Sequence, residues 1–103
     1  MKMTATITIN ENLIIPIKGA AIDEQGDLRL IVDRATQKAL SVIACFLVHT
    51  VAIVMGDFDC ALVLERKGAN ANGSMCQYEE NSMIFQLTNQ SEANRIYCKV
   101  ANA

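Results

Sequence analysis

Short segments in which apolar and polar residues alternate constrain the fold of this chain more than any other feature. The first covers residues 4–9, where Ala5, Ile7 and Ile9 fall on one face. A repeat of two residues is typical of a β-strand with one buried face. Further short apolar segments follow, separated by loops rich in Asp, Asn, Ser and Gly. The pattern therefore predicts a strand-rich domain.

Pairs of these segments predict antiparallel hairpins, because short loops join neighbouring strands in that arrangement. Pro16 lacks a backbone donor, so the strand at 13–17 is expected at a sheet edge. Gly26 can supply a positive φ in the loop between two of the strands. The remaining predicted strands are 20–22, 28–32, 50–55, 60–64, 75–79, 83–88 and 95–100.

One helix is predicted over residues 34–48, with Asp33 as its N-cap. A narrow polar stripe follows it at intervals of three or four residues, and the other faces are apolar, so we expect this helix to be largely buried. The stripe contains Arg34, Lys38, Ser41, Cys45 and His49. The sequence thus predicts a single α+β domain over 1–103, with a mostly antiparallel sheet or partly open barrel built from hairpins and one helix.

The composition limits which classes of partner the chain is expected to bind. Apolar residues make up 51% of the 103 residues and the net charge is −2, which argues against disorder. The basic residues are scattered, so a nucleic acid is not the expected partner. Residues 39–56 lack charge if His49 is neutral and just reach the length of a membrane span. We expect them to divide into a helix and a strand instead, so a membrane is not the favoured partner.

Residues 1–6 contain no apolar export signal, which predicts a cytoplasmic protein, and in that compartment the four cysteines are expected to stay reduced. Cys45 and His49 lie four residues apart on the predicted helix, where an imidazole can activate a thiol. A zinc site would need isolated residues from several strands, whereas such sites use closely spaced pairs. The residues in question are His49, Cys60, Cys76 and Cys98. No metal, cofactor or catalytic residue is therefore predicted, and a cysteine-dependent enzyme using Cys45 and His49 remains an alternative.

The expected function is that of a small non-enzymatic domain that binds another protein, as inhibitors and immunity proteins do. A structural subunit of a homo-oligomer or virion is the first alternative. The predicted partner-binding surface combines a hairpin loop at 56–59, a loop at 68–74 and the outward side of the last strand. Its candidate residues are Asp57, Phe58, Asp59, Arg95, Tyr97 and Lys99. An aromatic residue at a hairpin tip is a typical anchor for a partner's groove.

Overall fold

The computed structural model describes residues 4–33, 36–65, 75–87 and 89–102. Within these ranges the chain forms eight β-strands and two α-helices, so the predicted α+β class with antiparallel hairpins is confirmed. In chain order the elements are β1 (Ala5–Asn10), β2 (Leu13–Ile17), β3 (Gly19–Ile22), β4 (Leu28–Ile31), α1 (Thr36–Ala44), β5 (Val48–Met55), β6 (Phe58–Glu65), β7 (Met75–Glu79), β8 (Ser82–Gln86) and α2 (Gln90–Ala101).

The strands form two four-stranded antiparallel sheets. The first sheet has the order β2-β1-β5-β6 and the second has the order β3-β4-β8-β7. Strand β2, which contains Pro16, lies at an edge as predicted. Lys18 alone separates β2 from β3, and its backbone N–H donates to the carbonyl of Ile31 at 2.7 Å. The chain therefore passes from one sheet to the other through a single residue.

The β5–β6 hairpin is longer than the sequence predicted. Its ladder runs from Val48 paired with Glu65 to Met55 paired with Phe58, which leaves Gly56 and Asp57 as a two-residue turn. Gly56 has φ +60°, and glycine at the first central position is typical of a type II′ turn. A tight turn of this kind fixes which side chains face the core along both strands.

The two sheets and α2 share one hydrophobic core. Alternate residues of β1, β5 and β6 are buried, as are Leu28, Leu30, Met83 and Phe85 of the second sheet. Helix α2 adds three buried side chains at helical spacing, namely Ala93, Ile96 and Val100. Its position next to β3, with side chains reaching β6, ties the two sheets together.

Helix α1 is shorter and less buried than predicted. It ends at Ala44, whereas the expected helix continued to residue 48, and residues 34–35 lie outside the described ranges. Thr36 and Ala39 are its buried residues. Val48 and the residues after it join the ladder with β6, because β-branched residues pack well on a pleated sheet. The predicted division of 39–56 into helix and strand is confirmed, and in the part of the chain described here no helix has the length and apolarity to cross a membrane.

The prediction of a last strand at 95–100, preceded by a polar turn at 89–94, is wrong. Both segments belong to α2. Asn89 caps this helix, since its Oδ1 accepts from the backbone N–H groups of Ser91 at 3.0 Å and Glu92 at 3.3 Å. Glu92 in the first turn and Lys99 in the last turn complement the helix dipole. Capping and helical periodicity together outweigh the alternation that suggested a strand.

The β3–β4 loop is organised by Asp23. Its Oδ1 accepts from the backbone N–H groups of Gln25 at 3.0 Å and Asp27 at 2.9 Å, and its Oδ2 accepts from Arg29 Nε at 3.2 Å. Burial alone would raise the pKa of the Asp23 carboxyl, but these hydrogen bonds favour the charged form and hold the pKa below 3.8. Asp23 thus contributes stability that is present above the unfolded-state pKa and is lost as the pH falls through the lower folded-state pKa.

Replacing Asp23→Asn is therefore expected to lower the melting temperature by several degrees at pH 7. Asparagine keeps one acceptor oxygen but turns an NH2 group towards Arg29. The melting temperatures of the two proteins should converge as the pH falls through the folded-state pKa of Asp23, which lies below 3.8, because the wild-type carboxylate is then neutral. Thermal melts by circular dichroism from pH 7 to pH 2 measure this difference.

Asp27→Asn is the control for that experiment. Burial and the charge of Asp23 raise the pKa of Asp27, so its carboxylate opposes folding at neutral pH. Its replacement should leave the melting temperature unchanged or higher at pH 7. A difference between wild type and Asp23→Asn that stays constant down to pH 2 would contradict the role given to the Asp23 charge.

Candidate functional site

Helix α2 and the start of β6 bring together three of the predicted site residues. Arg95 and Lys99 are one helical turn apart, so they lie on the same side of α2. The guanidinium carbon of Arg95 is 5.3 Å from the centre of the Phe58 ring, and Lys99 Nζ is 5.9 Å from it. Both distances suit a cation–π contact. Phe58 therefore packs beneath two cations of its own chain and is half-buried.

The other predicted site residues are placed differently. Tyr97 is half-buried against the core, since two residues along a helix turn a side chain well away from the face of Arg95. The predicted common face of Arg95, Tyr97 and Lys99 is therefore wrong. Asp57 is exposed in the β5–β6 turn, and Asp59 is exposed on β6. The predicted loop at 68–74 lies outside the described residues.

An open groove of about 500 Å³ runs beside the Arg95 and Lys99 pair. Met55, Cys98 and Asn102 complete its lining. Asn102 Nδ2 donates to the carbonyl of Cys98 at 2.7 Å, so this amide already has a partner. The cations could pair with a carboxylate, but both are exposed, and pairs of that kind contribute little to binding.

Cys60 is buried and lies in surroundings that favour its neutral thiol. It is buried on β6, and its Sγ donates to Glu92 Oε1 at 3.2 Å. Burial raises the pKa of the Cys60 thiol, the carboxylate of Glu92 raises it further, and Arg95 opposes this shift. A nucleophilic cysteine needs the reverse, a lowered pKa and access to solvent. This contact fastens α2 to the first sheet.

Cys45 and His49 do not share a helix, so the geometry expected for a cysteine nucleophile is absent. Cys45 follows the end of α1, and its Sγ donates to the carbonyl of Ser41 at 3.2 Å. His49 lies on β5, where its Nε2 is 2.8 Å from the carbonyl oxygen of Ile9 and must act as the donor. Its ring also stacks on Phe46 at 5.2 Å between centroids. Each group is bonded to a different part of the backbone.

Three or more His, Cys, Asp or Glu side chains do not converge anywhere in the described ranges. Of the residues weighed for zinc, His49 and Cys60 are held by the contacts above, and Cys98 is exposed on α2. The side chain of Cys76 lies outside the described part of the chain.

The solvent side of the first sheet is the most distinctive surface, and we call it the outer face. Its rows follow from the strand register: Pro16, Thr6, Val54 and Asp59 form one row, and Ile14, Thr8, Ala52 and Ala61 form the next. On β5 and β6 it continues through Thr50, Val63, Val48 and Glu65. Among the residues of these four strands, the outward positions carry charge at Asp59 and Glu65, both on the edge strand β6.

Among the described residues, three large apolar side chains are exposed on this face. Ile14 is 57% exposed, Val48 52% and Val63 49%. Phe46 and Leu47, which immediately precede β5, are 51% and 76% exposed. Val48 and Val63 are diagonal neighbours on β5 and β6, and Ile14 lies at the opposite edge of the sheet. Single exposed apolar residues are common in soluble proteins, whereas several on one face without charge between them favour a site of interaction.

Sequence reasoning missed the outer face. A signal was available, because the polar phase of several predicted strands contains Thr, Ala and Val in place of Lys or Glu, as at Thr6, Thr8, Ala61 and Val63. These residues can be recognised as parts of one surface only when the strand order β2-β1-β5-β6 is known.

Comparison with known proteins adds no relative from which to transfer a function. No protein-family model matches the chain, and neither the curated proteins nor the solved structures contain a significant match.

Proposed function

We propose that this chain is a small non-enzymatic domain that binds protein through its outer face. The observation that carries the proposal is the exposure of Ile14, Val48 and Val63 on a four-stranded face whose interior lacks charge. Interface centres are depleted in charged residues, and their rims are polar. Asp59 and Glu65 at the edge fit such a rim.

The predicted surface around Phe58 is less well suited to this function. Its aromatic ring is already covered by Arg95 and Lys99, so a partner would have to displace these contacts. The outer face requires no such rearrangement. We therefore assign partner binding to the outer face and regard the Phe58 cluster as a contact that holds α2 against β6.

We further propose an intracellular location. Cys45 and Cys98 are free and exposed, and Cys60 is free and buried. Exposed free thiols persist in a reducing compartment, whereas an oxidising one favours disulfides.

Val63→Lys is the variant that tests binding by the outer face. The lysine replaces an exposed aliphatic side chain of that face with a longer, charged one, so we expect the variant to lose its partner while its melting temperature stays near that of wild type. The measurement is a pull-down of the tagged chain from its native host, quantified by mass spectrometry, with an untagged second copy counted as a partner.

Ile31→Lys is the matched control, because Ile31 is also an exposed aliphatic residue on a strand, 40% exposed, but belongs to the second sheet. This control should retain the partner. Equal capture by wild type and Val63→Lys, or no protein captured in stoichiometric amounts by wild type, would overturn the proposed function.

A further inference from the structure

We draw no further inference here: the strongest candidate, the open groove beside Arg95 and Lys99 on α2, offers the exposed thiol of Cys98 and two cations that already contact the ring of Phe58, and nothing in the described part of the chain points to a ligand for it.

Discussion

Phe85→Ala is expected to destabilise the fold by about 3–5 kcal/mol, the usual cost of removing a fully buried aromatic ring. Phe85 is 0% exposed on β8 and heads the largest fully buried side chains of the described core. It pairs with Leu28 of β4, and both side chains are buried in the core. Small domains have about 5–15 kcal/mol of stability in total, so the variant should be partly unfolded at 37 °C. Urea denaturation followed by circular dichroism gives the value.

The matched control is Phe46→Ala, which removes the same atoms from a ring that is 51% exposed. The ring contacts His49 at 5.2 Å between centroids, and an aromatic pair contributes about 0.5–1.5 kcal/mol, so a smaller loss than at Phe85 is expected. Similar losses at the two positions would show that Phe85 does not occupy the centre of the core.

Asn94→Pro is the second variant with a large expected effect. Asn94 is exposed inside α2, where proline removes a backbone hydrogen bond and clashes with the preceding turn, at a cost of about 3 kcal/mol or more. Loss of α2 would also uncover Ala93, Ile96 and Val100, so we expect the variant to unfold well below the wild-type melting temperature. Thermal melts by circular dichroism measure this loss.

Gln90→Pro tests whether the effect belongs to the helix interior. Gln90 is the first residue of α2, after the cap Asn89, and proline is tolerated at this position because its N–H would have no partner within the helix. Its melting temperature should stay close to that of wild type. If Asn94→Pro were as stable as Gln90→Pro, residues 89–94 would not be helical, and the polar turn predicted from the sequence would be supported instead.

The hairpins could be predicted from sequence because their information is local. Alternation in β1, Gly26 in the β3–β4 loop and Pro16 on an edge strand each depend on neighbours a few residues away. The β5–β6 ladder was underestimated for the same reason. Phe46, Leu47 and Val48 fit the apolar pattern of α1, but Val48 belongs to β5, where it pairs with Glu65 of β6.

Helix α2 shows where two local signals conflict. Ile96, Cys98 and Val100 alternate like a strand, while Ala93, Ile96 and Val100 repeat like a helix. Asn89 followed three residues later by Glu92 is a helix-start pattern that would have favoured the second interpretation. Phe58 lies close to Arg95 and Lys99 only because α2 packs against β6. The outer face likewise depends on which strands pair, and neither feature can be read from the periodicity of the sequence.

The single-residue link at Lys18 has a consequence for how the domain comes apart. With one residue between β2 and β3, and its N–H bonded to Ile31, a strand of each sheet is held at the same corner. A movement of one sheet against the other at this corner has to turn the backbone at Lys18 and break its hydrogen bond to Ile31. Local opening in proteins follows cooperative units that often match supersecondary motifs. At this corner such a unit would include β2 and β3, and so both sheets. We therefore expect the backbone amides of the β1–β2 and β3–β4 hairpins to exchange at similar rates.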